Sequence, residues 1–209
     1  MKHIYRRKPR LVQDSEANSL QQMIYPHVPK TFIMRWNTDI SNHTLQDFES
    51  SLKCYVPGEY FYDWSVWDYD KIAPGDKVYM VRSGQGRHGV VLMGTVMNWP
   101  YMDDDWRGTD RVVYYVRICV ERLFHPEKGF PFLSTDLLAA AIPDFNWEDG
   151  HSGELLSEEQ AAKLEEVVSS YLNDVVCDNV CNDEIESADQ RLGVICNPAF
   201  RGSLPKTCS

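Results

Sequence analysis

Four segments dense in β-branched and aromatic residues, 31–36, 77–82, 89–99 and 112–120, constrain this chain more than any other feature. The run Thr31-Phe-Ile-Met-Arg-Trp36 suits a buried strand. Lys77-Val-Tyr-Met-Val-Arg82 follows the Pro74-Gly75-Asp76 turn and alternates before running apolar, as a half-buried strand does. Gly94 interrupts the third segment and predicts a bulge or a close backbone approach. Short polar loops separate the segments, so the four are expected to pair as a small, strongly bent mixed or antiparallel β-sheet or a partly open barrel.

Helical signals flank these strands. Thr44 is placed as the N-cap of a short helix through Phe48 and Leu52, and Ser134 caps another through Ala141. Ser157 and Gln160 form a capping box, and Ala161, Leu164, Val168 and Tyr171 recur at helical spacing to make a stripe that should lie on the sheet. The expected class is α+β, with short helices flanking the sheet. At 209 residues the chain can bury one substantial core. Residues 1–29 are expected to be an N-terminal arm, 30–172 the domain, and 173–209 an acidic, cysteine-containing tail.

Net charge of −10 opposes binding to a polyanion, because phosphate affinity is built from Lys and Arg. The distribution matters more than the total: residues 1–29 carry +3, residues 30–125 carry −2, and residues 126–209 carry −11. The central surface is therefore neutral enough to meet nucleic acid, while the acidic last third suits a basic protein partner. No apolar run approaches the ~20 residues of a membrane-spanning helix, and no apolar stretch follows the basic start as in a secretory signal. A cytoplasmic protein without membrane association is expected. The six cysteines show no CxxC pair and should be reduced thiols. Cys177 and Cys181, at i, i+4, could form half of a metal site, with Cys196 and Cys208 as the nearby candidates to complete it, and free cysteines are the simpler expectation.

Gly84-Gln-Gly86-Arg-His-Gly89 matches GxGxxG, but a strand rather than a helix follows it, so it reads as a hairpin turn whose Arg87 and His88 could touch phosphate. Gly150-His-Ser-Gly153 lacks the GxSxG spacing of a nucleophile elbow and reads as a turn. Asp103-Asp-Asp105 reads as a solvated loop. No catalytic group, metal site or cofactor is expected. The aromatic stretch Tyr60-Phe-Tyr-Asp-Trp64-Ser-Val-Trp67 is too polar and irregular for an ordinary core strand, and aromatic faces of this kind stack on flat rings or hold cations.

The order of these features resembles the PUA-like superfamily, and within it domains of the EVE type, which are related to YTH domains. The resemblance is carried over about residues 31–172 by Phe32-Ile-Met-Arg-Trp36-Asn37, the helix from Thr44, Trp64-Ser-Val-Trp67, Gly75-Asp76, the strand ending in Ser83, Gly94-Thr-Val96 and Trp99-Pro100. The closing segment, Ile142-Pro-Asp-Phe-Asn-Trp147 through Gly153, is similar to EVE-like modules found upstream of bacterial nucleases, although no nuclease motif follows here. The resemblance implies a non-catalytic module that takes a modified base of DNA or RNA into an aromatic pocket, with a nuclease as a possible partner. It implicates Trp36, Asn37, Trp67, Ser83 and Trp99 as ligand contacts, with Trp64 a close candidate; beside them, charge and position make Arg35, Arg82, Arg87 and His88 the expected phosphate contacts. Rival expectations are a protein-interaction domain using the acidic last third, and a PUA-like enzyme acting on a small nucleobase or amide.

Overall fold

The computed structural model describes residues 27–127 and 133–182. The side chains of Cys177 and Cys181, together with Cys196 and Cys208, lie outside the described residues, as does nearly all of the expected N-terminal arm.

Seven strands, β1 (Thr31–Asn37), β2 (Tyr60–Val66), β3 (Lys77–Ser83), β4 (Gly89–Val96), β5 (Tyr101–Asp104), β6 (Val112–Leu123) and β7 (Glu154–Leu155), form one sheet in the order β2-β6-β4-β3-β1-β7, with β5 paired to β6 beside this path. The expected strands are all present: β1 (Thr31–Asn37), β3 (Lys77–Ser83), β4 (Gly89–Val96) and β6 (Val112–Leu123). β1 runs parallel to β3, which is possible because the chain between them is long enough for a crossover; the remaining pairs are antiparallel. The sheet is thus mixed. The register of β4 on β6 shifts between Met93 and Gly94, and a Cβ on Gly94 would run into the Cys119 carbonyl, so the expected bulge and close approach coincide.

Three strands depart from expectation. β2 (Tyr60–Val66) is the aromatic stretch that looked too polar for a core strand. Its polar residues obey period two: Tyr62 and Val66 are buried with Tyr60 and Trp64 packed beside them, while Phe61 and Asp63 point outward. Only one face of β2 meets the core, so half of its positions are free to be charged. β5 (Tyr101–Asp104) recruits Asp103 and Asp104 from the expected acidic loop, and β7 (Glu154–Leu155) adds a short edge to β1.

Each face of the central strands is covered. Phe32, Met34 and Trp36 of β1 join Val78, Met80 and Ile118 in a core inside the curl of the sheet, which α1 (Leu45–Cys54) closes with Phe48. Ile33, Tyr79, Val81 and Val90 face the other way, under α2 (Thr135–Ala141) and α3 (Glu158–Asn182). Burial on both faces explains the unbroken apolar run of β1. The helix starts match their sequence signals. Thr44 Oγ1 accepts from Asp47 N at 3.2 Å, and the Asp47 carboxylate accepts from Thr44 N at 2.9 Å. Ser157 Oγ accepts from Gln160 N at 3.2 Å, and Gln160 Oε1 accepts from Ser157 N at 3.0 Å. α3 continues to Asn182, so the boundary expected at Leu172 falls inside a helix.

The curl brings the two ends of the strand path together. Trp64 Nε1 on β2 donates to the Arg35 carbonyl on β1 at 3.3 Å, and Trp67 N donates to the Ser152 carbonyl at 2.9 Å. At Gly153, with φ of 80°, an added Cβ would lie 2.9 Å from that of Val66. A side chain there would wedge the seam apart.

Candidate ligand-binding site

Where the seam meets α1, aromatic rings from four separate segments converge. Trp36 stacks on Phe48 with centroids 4.8 Å apart. Tyr62 and Trp64 project from β2 two residues apart, 6.4 Å between centroids and nearly perpendicular. His43, from the irregular connection between β1 and α1, fills the space between them. Its ring lies 5.6 Å from Trp36, 6.2 Å from Phe48, 5.3 Å from Tyr62 and 6.0 Å from Trp64. The contacts to Tyr62 and Trp64 are edge-to-face, and pairs of this geometry contribute about 0.5–1.5 kcal/mol each beyond their buried area. The His43 carbonyl accepts from Trp36 Nε1 at 2.8 Å, and its ring Nε2 sits 3.3 Å from the Tyr62 hydroxyl. Burial pulls the His43 pKa below its ordinary value against the opposing pull of Asp47, and pushes that of Tyr62 up.

The expected ligand contacts divide by position. The parallel register sets Trp36 beside Arg82 and Asn37 beside Ser83, so three expected ligand contacts and one expected phosphate contact meet at one end of β1 and β3. Trp36 itself is fully buried and presents no face to solvent. Trp64 is half-buried, Asn37 and Ser83 likewise, and Trp67 is 61% exposed with its ring tilted against His151. Trp99 is 41% exposed but lies at the corner after β4, at the far end of that strand from Ser83. The structure therefore does not bring Trp99 to this site.

The basic residues are placed differently from expectation. Arg35, with only 8% of its side chain exposed, donates to the Trp147 carbonyl at 2.5 Å and the Asn146 carbonyl at 2.6 Å, and pairs with Glu154 at 3.3 Å. Arg82, at 3%, pairs with Glu127 and donates to the Gln85 carbonyl at 2.5 Å, its guanidinium 5.9 Å over the Trp36 ring. A cation this deep is stable only when paired, so each guanidinium holds a loop instead of facing a phosphate. The GxGxxG segment is the β3–β4 hairpin loop, as its flanking residues imply, and Arg87 is exposed in it. His88 is held between the Glu148 carboxylate and the Gly84 carbonyl, each 2.5 Å away. Both partners are acceptors, so the ring donates to both only as an imidazolium. The Gly84 carbonyl raises its pKa most, burial opposes that rise, and Glu148 adds to it.

His43, Phe48 and Tyr62 escape a reading of the sequence. Phe48 could have been found from the capped helix and Tyr62 from the period of β2; no local pattern marks His43. A separate groove of about 480 Å³ between α2 and the 143–148 loop is lined by Asp136, Asp144, Asn146 and Glu148. Among the described residues no cluster of His, Cys, Asp and Glu is arranged to hold a metal ion, and no helix is long and apolar enough to cross a membrane.

No protein-family model matches this chain, and no curated protein matches it. Among solved structures it is similar to a hypothetical protein from Leishmania major, at 13% identity and a TM-score of 0.47, covering 68% of this chain and 96% of that one. It is similar to human THYN1, solved in complex with DNA containing 5-methylcytosine, at 10% identity and a TM-score of 0.47, covering 65% and 95%. A third is the YTH domain of Zygosaccharomyces rouxii MRB1, solved with N6-methyladenosine RNA, at 16% identity and a TM-score of 0.36, covering 68% and 85%.

Proposed function

We propose that this protein is a non-catalytic binding module that takes a modified nucleobase of DNA or RNA into the aromatic recess at the seam of the sheet. The observation that carries the reading is the convergence of Trp36, Phe48, Tyr62 and Trp64 from β1, α1 and β2 around the single ring of His43, beside half-buried Asn37 and Ser83. Stacking on an aromatic side chain contributes about 1–3 kcal/mol per base, enough to offset the few kcal/mol of unstacking a base. Trp64 is the wall that a base would stack on, Trp36 forms the floor, and Asn37 and Ser83 supply the polar groups that would read the base edge. Arg87, exposed in the β3–β4 hairpin loop, would meet a flanking phosphate.

Tryptophan fluorescence titration with oligonucleotides carrying unmodified, methylated or hydroxymethylated bases tests this reading. One modification should quench saturably at lower concentration than the rest, and Trp64→Ala should weaken that binding by roughly tenfold or more. Equal or absent quenching across the panel would exclude it.

A further inference from the structure

The recess is already full. His43 places one flat heteroaromatic ring among Trp36, Phe48, Tyr62 and Trp64, each of the four ring centroids 5.3–6.2 Å away. The residue reaches it from a connection with no regular secondary structure, residues 38–44, whose tip is exposed at Asp39 and Ile40. The connection is tied to its surroundings by hydrogen bonds at its two ends: Asp39 Oδ1 accepts from Gln85 N at 3.2 Å, Thr38 N donates to the Ser83 carbonyl at 3.3 Å, Thr38 Oγ1 donates to the Gln85 carbonyl at 3.4 Å, and the His43 carbonyl accepts from Trp36 Nε1 at 2.8 Å. The ring has polar capacity facing its walls, since its Nε2 lies 3.3 Å from the Tyr62 hydroxyl.

We infer that the recess is a site for a single planar heterocyclic ring of pyrimidine size, and that His43 occupies it as an internal stand-in until such a ring displaces it. The inference rests on the reading of the recess as a base pocket and adds the size class of the ligand and the identity of its competitor. Trp36 and Phe48 are stacked on each other and close the floor, so the depth available is the depth His43 uses. A one-ring base replaces the His43 ring like for like and needs only the 38–44 connection to move, whereas a two-ring base exceeds the ring it replaces and needs the packed walls to part as well. Apparent affinity is lowered by the fraction of molecules in which His43 has vacated the recess, so emptying it should strengthen binding.

Three proteins decide it: the wild type, His43→Gly and His43→Phe, each titrated with imidazole and with oligonucleotides bearing either 5-methylcytosine or N6-methyladenine. His43→Gly should take up imidazole saturably and gain thermal stability from it, as an emptied apolar cavity binds the small ring that fits it, while the wild type should not respond. The same variant should bind the 5-methylcytosine oligonucleotide about tenfold more tightly than the wild type and the N6-methyladenine one more weakly than that, and His43→Phe should bind about tenfold more weakly than the wild type. A folded His43→Gly that ignores imidazole overturns the inference, as does equal binding by the wild type and His43→Phe. Should His43→Gly fail to fold, imidazole must restore folding; no recovery counts against the stand-in. Imidazole uptake without any oligonucleotide binding would keep the one-ring site and reject the nucleic-acid reading. Oligonucleotide binding by the wild type that His43→Gly leaves unchanged would do the reverse.

Discussion

Two histidines at one end of the sheet are set to titrate in opposite directions. Burial among aromatic rings lowers the His43 pKa from 6.5, and the Gly84 carbonyl with Glu148 raises that of His88 from the same value. Below 6.5 the unfolded chain takes a proton that folded His43 resists, so His43 makes stability fall as pH drops through the interval beneath 6.5. His88 acts the other way. Its contribution is fully present below 6.5 and is lost as pH rises through its raised folded value. Thermal unfolding across pH about 5 to 8, where histidines titrate, should separate them. His43→Phe should remove part of the loss on the acid side, and His88→Ala part of the decline on the alkaline side. Identical pH profiles for all three proteins would show that neither histidine carries these shifts. At this scale the sequence marked Trp36, Trp64, Asn37 and Ser83 through motif order alone. It could not mark His43, because a loop residue acquires its surroundings only when β2 curls back onto β1.

At the scale of elements, the legible features were those written locally. Hydroxyl caps depend on residues three positions apart, so Thr44, Ser134 and Ser157 were readable, and all three side chains accept from the first helical turn. β2 was missed because the polar residues on its outward face masked its alternation, and β7 because two residues carry no period at all. Gly94 was legible as an interruption, and its cause is the Cys119 carbonyl across the β4–β6 ladder. Gly94→Ala should therefore destabilise the protein by about 1–3 kcal/mol through overpacking against backbone that cannot yield. Ser157→Ala, which deletes only a solvent-facing cap, should cost about 1 kcal/mol. Urea midpoints at unchanged slope would measure both. A Gly94→Ala protein as stable as Ser157→Ala would mean that β4 and β6 can part without cost.

For the whole molecule, closure of the seam and the placement of charge bear on the same question. The path from β2 to β7 becomes a partly closed barrel only through contacts between residues far apart in sequence, such as Trp64 with Arg35 and Gly153 with Val66, which no local pattern announces. That closure also draws charge inward. Arg35 and Arg82, two of the four groups expected at phosphates, are buried and paired with Glu154 and Glu127, and His88 is paired with Glu148. With a net charge of −10, and with the Arg35 and Arg82 guanidiniums engaged internally, neither of these two arginines releases counterions from a phosphate chain. Duplex binding weakens with salt in proportion to the phosphates neutralised, with a slope of log affinity on log salt of roughly −0.9 per phosphate. Recognition through an aromatic recess, with Arg87 as the main phosphate contact, predicts a slope of about −1 to −2 and affinity that survives moderate salt. Titrations of the preferred oligonucleotide at several salt concentrations would measure it. A slope several times steeper would mean that binding is carried by a basic surface elsewhere on the chain, and the recess would lose its claim to be the principal site.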